Sequence, residues 1–349
     1  MEMAHRLALR ALGTTAENPP VGCVIVKEGR VAGVGWTQPG GRPHAETEAL
    51  KMAGEAAKGA TAYVTLEPCA HHGRTPPCAE ALVKAGIARV IFAMDDPDPR
   101  VSGKGVGILN KAGIEIRKLP PLSPQDELFG FRTRILKKRP YVTLKLALSA
   151  DGKIASAKGQ RTAITGPEAN ARVHLMRAQT DAILIGLSTA LIDDPELTCR
   201  LPGLENRSPI RIVADSRLSI PPRLKLVKTA DKVPLWLLSA RKGHIDDNIK
   251  VIDCRPTAEG WVDFADAMKK LAGLGINRLL VEGGSFIANS LLSRDLVDEV
   301  RLFRSSMVLG PYGVEAFAGY PFAEFEKRAT IVADESLGAD RLLVYRRKG

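Results

Sequence analysis

His44-Ala45-Glu46, followed by Pro68-Cys69 and then Cys78, brings together residue types that do metal chemistry. One imidazole and two thiolates suit zinc, and three protein ligands leave the fourth tetrahedral position open, as in a catalytic rather than a structural site. Water in that position ionises near neutral pH. Glu46 lies two residues beyond His44, too near to join the ligand set easily. It is placed instead to take a proton from that water and pass it to a leaving amine. The plainer alternative is that the cysteines are small buried hydrophobes and the His-x-Glu is fortuitous. The whole set in this order, with proline directly before Cys69, favours metal.

Zinc deaminases of cytosine and adenine carry H-x-E followed by P-C-x-x-C. Here Ala70–Pro77 replaces the two-residue spacer. The elements that must hold these residues are legible from hydrophobic period and turn signals. Val21–Val26 and Val31–Gly35 read as a strand pair, Ala45–Ala57 as a helix, and Ala62–Leu66 as a strand. Ala79–Ala85 follows as a helix, Ile87–Ala93 as a strand, Gly105–Ala112 as a helix and Ile114–Ile116 as a strand. The ligands then fall at two helix N-termini, which favour thiolate and hydroxide. Gly103-Lys104-Gly105-Val106-Gly107 lacks the third glycine of a dinucleotide fingerprint and reads as a loop entering a helix.

A length of 349 residues predicts two domains. The 45% hydrophobic and 26% charged content is that of a globular chain, which sets disorder aside. No apolar run is long enough to span a bilayer, so no membrane role is expected. Met1–Gly13 alternates apolar and charged residues, which predicts no signal peptide and a cytoplasmic location. Cys23, Cys199 and Cys254 read as reduced, unpaired thiols. The net charge of +11 is spread over both halves without a basic tail. Such diffuse charge suits small anions such as phosphates at least as well as a polymer.

The segment 117–139, with Pro120-Pro121, Ser123-Pro124 and a basic run to Arg139, reads as a solvated connector with some helix in it. A second alternating pattern then opens at Tyr141. Its first strand carries Lys145 in an apolar setting, either as an amine meeting an anion or as a snorkelling edge lysine. A helix over 168–178 bears Arg172, His174 and Arg177. Further buried strands are expected at Asp181–Ile185, Arg211–Ala214, Leu235–Leu238 and Val251–Asp253, with closing strands at Val297–Phe303 and Leu342–Arg346. Arg278–Ser285 reads as strand, acidic residue, glycine pair and helix. The glycines either let a phosphate approach the helix amides or simply serve the backbone.

Asn18-Pro19-Pro20-Val21-Gly22-Cys23, His44-Ala45-Glu46 and Thr65-Leu66-Glu67-Pro68-Cys69 through Cys78 resemble the bifunctional riboflavin-biosynthesis deaminase/reductase family. Leu144-Lys145, Ser149–Lys153, Arg177-Ala178-Gln179, Asp193–Thr198 and Val281–Gly284 carry the resemblance through the second half. It implies a cytidine-deaminase-like three-layer αβα domain over 1–116, a linker over 117–139, and a dihydrofolate-reductase-like α/β domain over 140–349. The first domain would hydrolytically deaminate 2,5-diamino-6-(5-phosphoribosylamino)pyrimidin-4-one. The second would use NADPH to reduce the ribosyl group of the product to ribityl. Zinc and NADPH are the implied cofactors, a phosphorylated pyrimidine the ligand, and a homo-oligomer the expected assembly, with no nucleic-acid partner.

The resemblance implies His44, Cys69 and Cys78 as zinc ligands, Glu46 as proton shuttle, and Asn18, His71 and Arg74 as substrate contacts. For the reductase it implies substrate contacts at Arg161, Arg177, Leu197, Arg200 and Glu282. On the dinucleotide side it implies Ala147, Ala163, Thr189, Asp193, Ser216 and the turn of Gly284, Ser285 and Phe286. Lys145, or an ordered water, is the candidate proton donor to the C1 carbonyl, with Glu282 as its partner. Two positions depart from the family: Thr37 stands where a histidine is common, and Ala163 where a tryptophan is usual. A loss of apolar area beside the cofactor is expected from the second.

Two other classes fit parts of the pattern. A zinc deaminase acting on tRNA or nucleosides, with a C-terminal binding module, would need stacking aromatics and a basic stripe. Aromatics are only 5% of the chain, which argues against it. A non-catalytic zinc protein has no need for Glu46.

Overall fold

The computed structural model describes residues 1–71, 76–99, 101–119 and 126–348. The chain divides into two compact units, Met1–Lys138 and Arg139–Gly349.

The first unit runs α1 (Glu2–Arg10), β1 (Gly22–Lys27), β2 (Arg30–Trp36), α2 (Ala45–Ala53), β3 (Thr61–Val64) and α3 (Cys78–Lys84). It continues with β4 (Arg89–Phe92), α4 (Lys104–Lys111), β5 (Glu115–Lys118) and α5 (Phe129–Lys137). The five strands form one sheet ordered β2-β1-β3-β4-β5. The pairs of β1 with β2 and β3 are antiparallel, and the remaining two are parallel. The expected helix from Ala45 stops at Ala53 because Gly54 turns to φ +52, and a short 3₁₀ turn, Gly54–Ala57, follows. Within the segment read as a connector, α5 forms, and Leu128 and Phe131 are buried in the core of the first unit. That apolar pair was hidden by the surrounding charge.

Close backbone approach fixes where α2 begins. At Gly33 and Gly35 of β2, a Cβ would lie 2.2 Å from the carbonyl oxygens of Ala49 and Ala45 respectively. The helix therefore lies directly on the strand, and its first turn, which carries Glu46, is pinned to the sheet. Gly105 does the same for the loop holding Cys69, since a Cβ there would meet the Pro68 carbonyl oxygen at 1.8 Å. The glycine-rich run is thus a packing contact, with Gly103 in the left-handed region at the helix entry.

The second unit comprises β6 (Tyr141–Leu148), β7 (Lys153–Ala155), α6 (Pro167–Ala178), β8 (Ala182–Gly186), α7 (Leu187–Asp193) and β9 (Ile210–Ala214). Next come α8 (Lys225–Lys228), β10 (Leu235–Ser239), β11 (Ile249–Asp253), α9 (Phe264–Gly273), β12 (Arg278–Val281) and α10 (Ser285–Ser293). β13 (Glu299–Arg304), β14 (Val314–Glu315), α11 (Phe322–Glu326), β15 (Ala329–Leu337) and β16 (Asp340–Arg347) close it. Its main sheet is ordered β11-β10-β9-β8-β12-β6-β13-β16-β15. The strands from β11 to β13 are parallel, and β16 and β15 add antiparallel pairs. Such a sheet places ligands outside the carboxyl ends of its strands. β15 escaped the sequence reading because it is an edge strand, exposed or half-buried along most of its length.

Gly35→Ala is expected to destabilise the first unit by roughly 1–3 kcal/mol, the usual cost of overpacking. Differential scanning calorimetry would record this as a lowered transition, whereas Gly107→Ala, where a Cβ meets nothing, should not shift it.

Candidate active sites

In the first unit the three sequence-predicted metal ligands converge. His44 precedes α2, Cys69 lies in the loop after β3, and Cys78 opens α3. The Nδ1 of His44 lies 3.3 Å from Cys78 Sγ and 3.7 Å from Cys69 Sγ. The three ligand atoms all lie within 4.8 Å of one another. A tetrahedral ion bound at about 2.0 Å by nitrogen and about 2.3 Å by sulfur needs such atoms roughly 3.5–3.8 Å apart. The donor set therefore fits zinc in both chemistry and spacing.

The electrostatics favour a single thiolate, at Cys69, while the hydrogen bond to Cys69 and burial push the Cys78 thiol well up. Hydrogen bonding from Cys78, opposed by burial and aided by His44, lowers the Cys69 thiol to about 4. The Cys78 backbone N–H donates to the same sulfur at 3.3 Å. Burial, with the Cys69 charge adding to it, pushes the Glu46 carboxyl up to about 6. No arginine or lysine pairs with Glu46 among the described residues.

These groups face a cavity of about 290 Å³ lined by Asn18, His44, Glu46, Cys69 and His71. Arg74 lies outside the described residues. Thr37 also lines the cavity and has a structural task in place of the histidine. Its Oγ1 donates to the Pro19 carbonyl at 2.9 Å and accepts from the Val21 N–H at 2.9 Å, clamping the segment that follows Asn18. Glu67, buried two residues before Cys69, accepts from the N–H of Gly103 at 3.1 Å and so ties the ligand loop to α4. Arg134 of α5 reaches the same cavity and donates to the Glu17 carbonyl at 2.7 Å. The sequence reading missed Glu67 and Arg134. The only signal for Arg134 was the apolar period of α5 beneath its charges.

The second unit holds a cavity of about 970 Å³ at the carboxyl ends of its parallel strands. Lys145 and Ala147 of β6 line it, with Arg161, Thr189, Asp193 and Ser216. Glu282, Gly284, Ser285 and Phe286 close the wall beyond β12. Arg177, Leu197, Arg200 and Ala163 do not line it. Arg177 instead grips Glu282 through two parallel bonds of 2.8 Å each, Nε to Oε1 and Nη2 to Oε2. Its Nη1 also donates to the Thr198 carbonyl at 3.1 Å. Leu197 is buried at φ +56, Arg200 is exposed beside Glu196, and Ala163 is exposed between two cavity-lining residues.

Both partners of the Arg177–Glu282 pair are only 11% exposed. Burial opposes ionisation of Glu282, but Arg177 and Lys145 outweigh it and hold the carboxyl below its usual range. Burial lowers the Lys145 amine, only partly offset by Glu282. Lys145 makes no hydrogen bond or ion pair among the described residues. Its Nζ stands 5.6 Å over the Phe303 ring. Gly284 has φ −71, so its backbone does not demand glycine, and a Cβ there would meet only Thr189 Oγ1 at 3.7 Å. The missing side chain leaves room beside the first amides of α10 for a phosphate. The cavity is at the upper end of the size for cofactor sites, and a dinucleotide fits it.

A metal-ligand cluster with a buried carboxylate in one unit, and a dinucleotide-sized cavity at a parallel-sheet edge in the other, define a bifunctional hydrolase and oxidoreductase. Residues 1–94 match the cytidine and deoxycytidylate deaminase zinc-binding region, and residues 140–341 match the RibD C-terminal domain. The Escherichia coli riboflavin biosynthesis protein RibD is 42% identical over 324 residues, covering 89% of this chain and 88% of that protein. The solved structure of Acinetobacter baumannii RibD superposes with a TM-score of 0.89 at 34% identity, covering 100% of this chain and 98% of that one. A Thermotoga maritima diaminohydroxyphosphoribosylaminopyrimidine deaminase/5-amino-6-(5-phosphoribosylamino)uracil reductase superposes at 0.87 and 33% identity, covering 100% and 97%. The chain belongs to the RibD family of riboflavin biosynthesis proteins, bifunctional deaminase/reductases. The tRNA-deaminase reading is not favoured, because the second unit is a reductase domain.

Two outcomes are expected. Cys69→Ser should strip the first unit of most of its zinc, measured by metal analysis after dialysis, while Glu46→Gln should retain it. The Glu282 carboxyl, held low when folded, stabilises the second unit above about pH 4.3 and loses that effect as pH falls through its folded value. The melting-temperature gap between wild type and Glu282→Gln should therefore hold steady near neutral pH and narrow as pH falls below about 4.3; a constant gap would contradict the assignment.

Proposed function

We propose that the first unit hydrolytically deaminates 2,5-diamino-6-(5-phosphoribosylamino)pyrimidin-4-one, and that the second reduces the ribosyl group of the deaminated product to ribityl with NADPH. The observation that carries this reading is the pair of cavities: Glu46 buried over a His/Cys₂ cluster in one unit, and Lys145 beside an Arg177-held Glu282 in the other.

His44, Cys69 and Cys78 would hold a zinc ion, which would supply a water acidified toward neutral pH. Glu46 accepts a proton at its carboxylate and delivers it to the departing amine, which leaves as ammonia. Asn18, fixed by the Thr37 clamp, and His71 stand on the wall to hold the pyrimidine.

The cavity of the second unit would hold NADPH along Thr189, Ser216 and Gly284, and the cofactor would supply a hydride to C1 of the opened ribose. Lys145, or a water it orders, gives the proton to the carbonyl oxygen, and its lowered affinity for that proton favours the transfer. Glu282 positions the amine, and Arg177 keeps Glu282 ionised and in place. Arg161 faces Asp193 across the rim, in reach of a charged ligand.

A cytoplasmic location accords with the buried free thiols of Cys23, Cys199 and Cys254. A homo-oligomer is supported by β15, an edge strand that leaves Ile331 and Val332 exposed.

Zinc-loaded enzyme given the diaminopyrimidine ribosyl phosphate should release ammonia first and oxidise NADPH only afterwards. Glu46→Ala should slow ammonia release roughly 100-fold or more. Ammonia release that survives Glu46→Ala would refute the shuttle, and no ammonia from wild type would refute the substrate.

A further inference from the structure

Three side chains at the larger cavity take no part in the proton and hydride transfers above. Trp261, in the loop after β11, is 43% exposed, and Phe286, on the first turn of α10, is 60% exposed. Their rings meet edge to face with centroids 5.9 Å apart. Arg217, in the loop after β9, holds its guanidinium 5.5 Å from the centre of the Trp261 ring. All three line the cavity. Paired aromatic rings left in water at a cavity rim mark a surface that a ligand covers. Arg217 has no carboxylate partner among the described residues, although a buried carboxylate lies two residues away. That carboxylate, Asp215, is spent on the loop backbone, accepting from the N–H groups of Arg217, Ser219 and Ile220. The loop is therefore rigid and its guanidinium is free for an anion.

The strand order says which anion. Substrate chemistry sits at β6 with Lys145, and the glycine turn that admits phosphate follows the neighbouring β12. β8 comes next and β9 last, three strand intervals or about 14 Å from β6. A dinucleotide with its nicotinamide at Lys145 and its pyrophosphate at Gly284 must run its adenosine toward the end of β9. Ser216 and Arg217 stand there, and the Ser216 hydroxyl accepts from the Val262 N–H at 3.0 Å, locking the Trp261 loop to them. Ala163 offers no ring to the cavity, so the aromatic surface comes from Trp261 instead.

We propose that Arg217, steadied over the Trp261 indole, reads the ribose 2′-phosphate of NADPH and gives the second unit its preference for NADPH over NADH. This rests on the reductase reading of that unit. A planar guanidinium meets a phosphate through paired charge-assisted bonds, and an aromatic face pre-orients it.

The test is calorimetric titration of zinc-loaded full-length protein with NADP⁺ and with NAD⁺, for wild type, Arg217→Ala, Arg217→Lys and Trp261→Ala. Wild type should bind NADP⁺ more tightly. Arg217→Ala should weaken NADP⁺ about tenfold or more while moving NAD⁺ little, as loss of a charged hydrogen-bonded contact predicts. Arg217→Lys should recover part of the loss, and Trp261→Ala should weaken both dinucleotides. An undiminished preference in Arg217→Ala, or one abolished instead by Lys158→Ala, a lysine that also lines this cavity, overturns the proposal and leaves the reductase reading standing. Failure of wild type to bind either dinucleotide overturns both.

Discussion

A carboxylate stays ionised in a protein interior only when a positive group or a set of hydrogen-bond donors lies against it, and both sites of this protein are arranged around that constraint. In the second unit the positive group is Arg177, whose fork matches both oxygens of Glu282. Removing Arg177 would leave a buried charge alone, so the pair fixes how α6 meets the end of β12. Among the described residues of the first unit no arginine or lysine plays that part for Glu46, and its carboxyl is pushed up by burial and by the Cys69 thiolate. A cation held by the His/Cys₂ cluster would complete the charge balance there, which makes metal binding and the state of Glu46 one problem.

The two units reach these arrangements by different means. In the first, glycine permits contact between backbones: Gly33 and Gly35 under α2, and Gly105 under Pro68, bring His44, Glu46 and Cys69 within reach of one another. Strand direction matters less there than the tightness of helix on sheet. In the second, a run of parallel strands sends every following loop to one side. Lys145, Glu282, Thr189 and Ser216 come from four different strands or their ends and meet in one cavity without being near in sequence. The departures from the family pattern are absorbed locally. The Thr37 hydroxyl serves the backbone of Pro19 and Val21, and Trp261 brings an aromatic ring from another loop to a cavity that Ala163 does not reach.

The metal ligands, the shuttle Glu46 and the alternation of strands and helices were legible in the sequence because each is a local signal. Ligand type and spacing, proline before Cys69, and the period of apolar residues all lie within short windows of chain. So was the family, since its motifs occur in order along nearly the whole length. Other features required the tertiary structure. The membership of α5 in the first unit, the Glu67 tie to α4, the reach of Arg134 into the deaminase cavity and the edge strand β15 carry little local pattern. The Arg217–Trp261 contact joins residues from separate loops, and Leu197, Arg200 and Ala163 prove to lie off the cavity wall. A motif states which chemistry is available, but the partner of a buried charge and the wall of a cavity depend on contacts distant in sequence. Only the packing of strand on helix and of loop beside loop decides those.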